Sequence, residues 1–388
     1  MITNRIRVLW CVAMLIVAGS VAITGVRAQS AIQHADAPAA SAAGPKKAEE
    51  QFKNIQVLKG IPADQLLPTM EFISASLGVH CDHCHVQKAF DKDDKKPKQI
   101  ARKMIEMMIT INQENFDANR KVTCNTCHRG NIHPVAIPAV VTEDAKPPEP
   151  PKPAGKEEEA KKSTPTADQL LDQYLQAVGG SAAIDKVTTR VMKGKIEFAG
   201  MSFPIDIYCK DPEQRISFTH TPDGESVTAF NGHEGWLSMS GGQVREMHGS
   251  ELDAASIDAD LHLATHLKQM FTQMQVRGAE KIGDHEVYVV VGQREGKPPI
   301  ELYFDQQSGL LLRLVRYADT ALGLLPTQID YADYHEDNGV KIPYRWTLAR
   351  PNGRFTIQVS EVKQNVPVDD AKFVKPNPPQ TSPAGPSK

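Results

Sequence analysis

The chain has 388 residues, with 44 Lys and Arg against 47 Asp and Glu, so its formal net charge is −3. That length allows two or three domains. A net charge so close to zero does not indicate nucleic acid or an anionic membrane surface as a partner of the whole chain. Four of the six cysteines fall in two five-residue motifs, and the other two are Cys11 and Cys209.

Residues 1–28 have the pattern of an export signal. Arg5 and Arg7 precede the apolar run Val8–Val26, and small residues end the segment where a signal peptidase would cut. We expect cleavage and a periplasmic location. The alternative is an uncleaved membrane anchor, because the apolar run is long enough to span a bilayer. Residues 29–50 are rich in Ala, Ser, Pro and charge, which predicts a flexible spacer.

Two pentapeptides of the form C-x-x-C-H follow, at residues 81–85 and 124–128. This is the attachment pattern of a c-type haem. Two thiols on one short loop can each add to a haem vinyl group, and the adjacent His reaches the iron as proximal ligand. The motifs therefore predict two covalently bound haem c groups. The expected thioether cysteines are Cys81, Cys84, Cys124 and Cys127, and the expected proximal iron ligands are His85 and His128.

Each cysteine pair has other interpretations. One pair alone could be a disulfide or a redox dithiol, and the two pairs together could form a four-cysteine zinc site. The His that directly follows each second Cys favours haem, as does the helix-borne Met upstream of each motif, because a zinc site needs neither. Bacterial c-type haems are attached outside the cytoplasm, so the export signal and the motifs support each other.

A methionine thioether suits the sixth position of a cytochrome iron, because it raises the reduction potential and closes the iron to oxygen. Met70 lies near the start of a helix predicted over residues 67–78, which a glycine ends. A second predicted helix, over residues 99–116, carries an apolar stripe. Three further candidate ligands lie on it: Met104, Met107 and Met108. Spacing alone does not choose among them, and a Met on a helical stripe usually fills a core.

Residues 90–97, between the motifs, are highly charged, which predicts a solvated turn. Docking of the lysines there to a redox partner is the alternative interpretation. His80 and His83 flank the first motif, and either is an alternative sixth ligand if Met70 is not. We expect His133 at a haem edge or on the surface.

The segment Asn54–Pro138 resembles the cytochrome c subunit family of photosynthetic reaction centres. In that family a helix with the axial Met, a turn and C-x-x-C-H build each haem site. Residues 101–107 resemble the family's arginine-rich helix, whose axial Met directly follows the basic pair, and residues 122–130 match its second-haem sequence closely. The resemblance thus implies Met104 as the second distal iron ligand. Met70, at the family's spacing before the first motif, is the implied first one.

The chain also departs from that family. Its well-known members carry four haems and place a His in the loop after the second Met helix. This chain has two C-x-x-C-H motifs and no His between Met104 and Cys124. The resemblance therefore implies a dihaem relative. A role in photosynthesis does not follow, and electron transfer in a respiratory chain is an equally good interpretation.

The composition predicts several domains. Residues 51–141 are expected to form a mainly α dihaem cytochrome c domain. Residues 142–165 combine six prolines with a charged run, which predicts an extended linker. Residues 166–375 are expected to form an α+β domain, and residues 376–388 a disordered tail.

The second domain is predicted to begin with a helix capped by Thr166. Period-2 alternation then predicts an antiparallel sheet, interrupted by a helical run over residues 250–274. We expect strands at residues 187–198, 203–209, 215–220, 226–230, 287–291, 300–304, 310–317, 327–335, 344–348 and 354–362. Without a sharp motif, this order resembles the unclosed β-barrel of periplasmic outer-membrane lipoprotein carriers. That resemblance implies an acyl chain or another apolar ligand, and a sheet filled by its own side chains is the alternative.

No nucleophile–base constellation, phosphate loop or pair of carboxylates predicts catalysis. His262 and His266 are four residues apart and could meet one metal ion, but an ordinary surface or core pair is the better interpretation. Cys209 is expected to be a buried thiol.

Three functional classes follow. We expect an electron carrier, not an enzyme, that serves a redox protein such as a membrane-bound reaction centre or a respiratory complex. The alternatives are a peroxidase-like dihaem enzyme, which needs an open iron position, and an apolar-ligand or lipoprotein-binding protein with a redox module.

Overall fold

The computed structural model describes residues 46–134, 164–239, 244–351 and 353–376. The predicted export signal and Cys11 lie outside these residues, as do most of the predicted spacer, linker and tail. We call residues 46–134 the haem-motif module and residues 164–376 the sheet domain. No helix in the described ranges is long and apolar enough to cross a bilayer.

The haem-motif module is helical. Its helices are α1 (Ala48–Gln51), α2 (Leu66–Leu77), α3 (Lys96–Asn115) and α4 (Cys124–His128), with 3-10 turns at Ala63–Gln65 and Cys81–His83. As predicted, α2 ends at Gly78, whose φ of +67° favours glycine. α3 begins earlier than predicted, because Pro97 fits the first turn of a helix.

The apolar core of the module is small and shares side chains with the sheet domain. Phe72, Ile105 and Met108 are buried in it, and Leu322 and Leu325 of the sheet domain complete the same cluster. A stretch of this size has little apolar surface to bury by itself. The module therefore depends on contacts beyond its own side chains.

The sheet domain contains four helices and a large sheet. The helices are α5 (Ala167–Ala177), α6 (Ser181–Ile184), α7 (Gly249–Ala259) and α8 (Leu263–Met270). The strands are β1 (Thr189–Phe198), β2 (Met201–Lys210), β3 (Gln214–Thr221), β4 (Gly224–Asn231), β5 (Gly235–Ser238), β6 (Val244–Glu246), β7 (Gln273–Ile282), β8 (His285–Arg294), β9 (Lys297–Asp305), β10 (Leu311–Thr320), β11 (Gly323–Asp337), β12 (Val340–Arg350) and β13 (Gly353–Gln364). A 3-10 turn, Asp370–Phe373, follows.

Every strand pairs antiparallel with its neighbours, as predicted. The order across the sheet is β6-β5-β4-β3-β2-β1-β13-β12-β11-β10-β9-β8-β7. The described strands thus form an unclosed sheet with β6 and β7 at its edges. Helices α7 and α8 connect those two edges along the chain, so the helical insertion carries the chain from one edge to the other.

Three helices cover one face of the sheet. Leu171 of α5, Ile257 of α7 and Leu267 of α8 pack in one cluster with buried side chains from β8 to β11. Thr166 caps α5 as predicted: its Oγ1 accepts a hydrogen bond from the Gln169 N–H at 3.2 Å.

The structure differs from the sequence prediction at two places. The helical run predicted over residues 250–274 is two helices, and Met274 lies on β7. Strand β7 itself was not predicted, and neither were the short β5 and β6. Met274 and Val276 are the only large apolar residues of β7 before Ile282, so its period-2 alternation is too short to predict a strand.

The β10–β11 hairpin contacts the haem-motif module. A Cβ placed on Gly323 would lie 2.6 Å from the Phe72 ring, so the ring packs directly against this glycine. The Ala321 N–H donates to Thr69 Oγ1 at 3.3 Å. Arg120 donates to Asp319 Oδ1 at 2.7 Å. Apolar contact and hydrogen bonds together hold the module on the hairpin.

Candidate haem-binding sites

The first motif is a tight helical turn. Cys81–His83 form a 3-10 turn, and the N–H groups of Cys84 and His85 both donate to the Cys81 carbonyl, at 3.3 and 3.0 Å. Side chains three residues apart eclipse each other in a 3-10 turn. The two cysteines therefore project from the same side of the turn, with the His next to them.

The second motif also places its two cysteines on one side of a turn, but in a short α-helix. Thr123 precedes helix α4, and its N–H donates to Thr126 Oγ1 at 3.0 Å, which caps the turn. Cys124 and Cys127 are again three apart on one helical face. None of the four motif cysteines is in a disulfide. Both motifs therefore present two free thiols beside a His.

The imidazoles of the two motifs are oriented alike. His85 Nδ1 lies 2.9 Å from the Phe90 carbonyl, and His128 Nδ1 lies 2.9 Å from the Asn131 carbonyl. A carbonyl only accepts, so each Nδ1 must carry the proton. In a neutral ring the lone pair is then on Nε2, the nitrogen that would bind a metal. The chain itself thus fixes the tautomer that a proximal iron ligand needs.

The zinc alternative receives no support from this arrangement. Within the described ranges, no group of three or more His, Cys, Asp or Glu side chains is placed to hold a metal ion. Burial raises the pKa of the Cys84 and Cys124 thiols. The four sulfurs are not arranged as a four-cysteine zinc site.

The candidate distal ligands differ in exposure. Met108 is 6% exposed and fills the module core, as Met residues on helical stripes usually do. Met104 and Met107 are 41% and 48% exposed on α3. Met70 of α2 is half-buried at the edge of the core. Exposure therefore separates Met108 from the other three but does not choose between Met104 and Met107.

The exposed face of α3 is apolar. Ile100 is 49% exposed and, with Met104 and Met107, forms a stripe at helical spacing. Further exposed apolar side chains in this module are Leu67, Phe90, Phe116 and Ile132. Contiguous exposed apolar surface usually marks a site that something covers. A porphyrin ring is flat and apolar, so it could cover this exposed surface. The residues present therefore fit haem.

A close backbone contact brings the two motifs together. The Gly130 N–H donates to the Ser76 carbonyl at 2.8 Å, and a Cβ on Gly78 would lie 2.2 Å from the Gly130 oxygen. Gly78 precedes the first motif by three residues, and Gly130 follows the second motif by two. The backbone just before the first motif and the backbone just after the second therefore meet at one junction, where only glycine fits at position 78.

The loop between the first motif and α3 is held from inside, which the sequence did not predict. The Lys98 ammonium donates to the carbonyls of Phe90, Asp91 and Lys92 at 2.9, 3.1 and 2.7 Å. Its relative exposure is only 9%. Most residues of the loop are themselves exposed, as expected for a solvated turn, but their carbonyls enclose a buried cation. Lys98 precedes the predicted start of the second helix at residue 99, so the sequence pattern gives no sign of this role.

Asp93 of that loop is the matching anion. Arg102 donates to Asp93 Oδ2 at 2.9 Å, the Lys98 ammonium lies 3.0 Å from Oδ1, and Asn54 Nδ2 donates to Oδ1 at 2.9 Å. These partners, Arg102 first, hold the pKa of the Asp93 carboxyl well below its usual range. Asp93 is therefore ionised at neutral pH.

The sheet domain does not show the ligand site that its pattern implied. The space between sheet and helices is occupied by the domain's own side chains, among them Leu171, Leu267 and Leu302, each almost fully buried. An open trough of about 540 Å³ lies along β1, β11, β12 and β13, and polar or charged side chains dominate its lining. Side-chain filling, the alternative interpretation, describes the domain interior better than an apolar cavity does.

The His pair of the sheet domain has other partners. The rings of His262 and His266 are 5.9 Å apart, edge to face. His262 Nε2 lies 2.8 Å from the Val187 carbonyl, and His266 Nδ1 lies 2.8 Å from Asp260 Oδ2. These contacts fit an ordinary structural pair. Cys209 is buried as expected, with 4% exposure.

The comparison with protein families concerns the motif-bearing half of the chain. Residues 13–195 match the family described as photosynthetic reaction centre cytochrome C subunit. The photosynthetic reaction center cytochrome c subunit of Thermochromatium tepidum is 37% identical over 101 residues, which are 25% of each chain. Cytochrome c-554 of Chloroflexus aurantiacus is 35% identical over 82 residues, 19% of this chain and 20% of the relative. The chain thus spans about a quarter of the length of the curated relatives that it matches.

Solved structures match about half of the chain at low sequence identity. A LolA superfamily protein from Nitrosomonas europaea has a TM-score of 0.39 and 16% identity, over 55% of this chain and 99% of the other. A DUF1329 family protein from Desulfovibrio piger has a TM-score of 0.39 and 14% identity, over 54% of this chain and 98% of the other. Neither likeness assigns a ligand to this chain. The motif-bearing segment is thus similar to the photosynthetic reaction centre cytochrome c subunits, over about a quarter of their length.

Proposed function

We propose that the chain is a periplasmic dihaem c-type cytochrome that transfers single electrons. The observation that carries the proposal is the shared geometry of the two motifs. Each presents two free thiols three residues apart and an imidazole whose Nδ1 is held 2.9 Å from a backbone carbonyl. That combination leaves Nε2 ready to bind iron, and it is built twice.

The residues divide into three roles. In our proposal the motif cysteines form the thioethers, and His85 and His128 are the proximal ligands. Met70 and Met104 are the distal ligands. The choice of Met104 over Met107 depends on the resemblance, since both are exposed on α3. Bound haem would supply an iron that changes its charge by one electron, and the chain supplies axial ligands, orientation and a covering apolar surface.

The partner in this proposal is another redox protein. The relatives are named as subunits of photosynthetic reaction centres. A membrane-bound reaction centre is therefore one candidate partner for this chain, and a respiratory complex is the other. The exposed stripe of α3 and the first motif lie in the same module, so the partner would meet the haem-motif module rather than the interior of the sheet domain.

The direct test is the haem content of the full chain, expressed in the periplasm with an intact maturation system. We expect two covalent haems per chain and a low-spin spectrum. Replacing Cys124 and Cys127 with Ala should leave one haem, and replacing Cys209 with Ala should leave two. A colourless protein, or one that binds zinc at the motif sulfurs, would contradict the proposal. A stable high-spin signal in the native chain would favour the peroxidase-like alternative instead.

The distal ligands have their own test. Met70→Ala or Met104→Ala should keep both haems attached but open one iron, because no thioether then fills its sixth position. Each variant should bind one carbon monoxide per chain. Met107→Ala is the matched control, being exposed on the same face of α3. Carbon monoxide binding by the Met107 variant and not by the Met104 variant would exchange the two assignments.

A further inference from the structure

The two motifs differ in what else touches the carbonyl that orients the proximal His. The Phe90 carbonyl, which accepts from His85, also accepts from the Lys98 ammonium at 2.9 Å. Among the described residues, the Asn131 carbonyl has no cation as a second partner beside His128. The imidazole of the first motif therefore shares its acceptor oxygen with a cation, and among the described residues the imidazole of the second motif does not.

The Lys98 charge is fixed in place. Its ammonium contacts three loop carbonyls and Asp93 Oδ1, all at 2.7–3.1 Å, and the residue is 9% exposed. Asp93 neutralises part of this charge but also pairs with Arg102 at 2.9 Å. Two cations thus face one carboxylate, and a net positive charge remains beside the first motif.

Such a charge changes the properties of a ligated imidazole. A cation on the carbonyl draws electron density from the oxygen, so the oxygen accepts the Nδ1–H less strongly. The imidazole is then a weaker electron donor to a metal on Nε2. The charge also acts directly through a partly buried region, where Coulomb interactions are stronger than in water. Both effects disfavour the more positive, oxidised state of a metal at that position.

We propose that Lys98 is a positioning residue that raises the reduction potential of the haem on the first motif. This inference rests on the proposed function, because it requires haem on His85. Lys98 would act through the Phe90 carbonyl and its own charge, without touching the haem. The two haems would then have different reduction potentials, although their C-x-x-C-H motifs are alike.

The test is an equilibrium redox titration of the full chain, followed by its visible spectrum. Lys98→Gln keeps a hydrogen-bond donor but removes the charge. We expect one of the two titration waves to move to lower potential. The equilibrium constant for reduction of that haem should fall about tenfold, which is about 59 mV for one electron. Lys98→Arg should restore the native position of that wave. Lys92→Met is the matched control, since it removes an exposed lysine from the same loop and should move neither wave comparably.

A second variant provides a test with the opposite sign. Asp93→Asn removes the carboxylate that offsets Lys98 and should raise the same wave that Lys98→Gln lowers. This variant keeps the inference testable if Lys98→Gln does not retain its haems. An unmoved wave in Lys98→Gln, an equal shift in Lys92→Met, or a lowered wave in Asp93→Asn would overturn the inference. A chain that carries no haem at all would instead overturn the proposed function, so the two failures are distinguishable.

Discussion

The haem-motif module and the sheet domain bury apolar surface in different ways. The sheet domain packs three helices on its sheet with its own side chains, and residues such as Leu302 and Val290 have 0% exposure. The module leaves Ile100, Met104 and Met107 between 41% and 49% exposed and shares its small core with the β10–β11 hairpin. The sheet domain thus completes its core with its own side chains, whereas in our proposal the exposed stripe of the module is covered by haem that is attached later.

The largest effect should come from removing the haem attachment sites. With all four motif cysteines replaced by Ala, we expect the module to open locally at almost no free-energy cost, because its exposed stripe stays uncovered. The sheet domain should stay folded. Hydrogen exchange would show fast exchange in α2 and α3 and protection in β8–β10. Protected α2 and α3 amides without haem would contradict this dependence, and Cys209→Ala should leave the native pattern.

A cavity in the sheet domain should destabilise the sheet domain and leave the haem spectrum unchanged. Leu302→Ala removes a side chain with 0% exposure from the sheet core, and we expect it to cost about 2–5 kcal/mol of unfolding free energy. The haem spectrum should not change, since Leu302 is outside the shared cluster. Chemical denaturation followed separately by far-UV signal and haem absorbance measures both. Leu324→Ala, at an exposed site, should change stability by only about 0.5 kcal/mol.

The shared contact should link the two regions. In Gly323→Val the added atoms would meet the Phe72 ring, since even a Cβ lies 2.6 Å from it. We expect a loss of about 1–3 kcal/mol, because overpacking forces ring or backbone to move. The loss should appear in the unfolding of both regions. Gly353→Val is the control, because the nearest atom to its Cβ is 3.9 Å away. Equal effects at the two glycines would show that the Phe72 contact is unimportant.

The smallest effect concerns the polar part of the same interface. Arg120→Met removes the ion pair with Asp319, in which both side chains are at least 40% exposed. Partly exposed pairs contribute little, so we expect a loss of at most about 1 kcal/mol. The double variant Arg120→Met with Asp319→Asn should cost no more than the single one. A larger cost, measured by thermal unfolding, would mean that Arg120 also orders the Thr320 carbonyl to which it donates.

Local signals predicted much of this structure. Patterns of residues close together in the sequence predict the end of α2 at Gly78, the Thr166 cap and most strands. The two C-x-x-C-H motifs likewise carry their meaning in five consecutive residues. Strand β7 was missed because Met274 and Val276 are its only large apolar residues before Ile282, which is too short a pattern to predict a strand.

Contacts distant in sequence could not be predicted. Phe72 packs against Gly323, which is far from it in the sequence, and no local pattern around either residue predicts the contact. Lys98 lies just before the predicted start of α3, where no local pattern indicates that the loop carbonyls enclose its charge. The structure also places Met108 in the module core, whereas spacing alone does not distinguish the three α3 methionines.

The backbone contact between Gly78 and Gly130 has a consequence for how such a unit could be altered. Because the approach to one C-x-x-C-H loop rests on the exit from the other, neither loop can be excised or lengthened without disturbing its twin. The main chain thus links the two motifs at one point. Excising or lengthening either loop would require rebuilding that junction, whereas replacing the two cysteines of one motif leaves the junction intact.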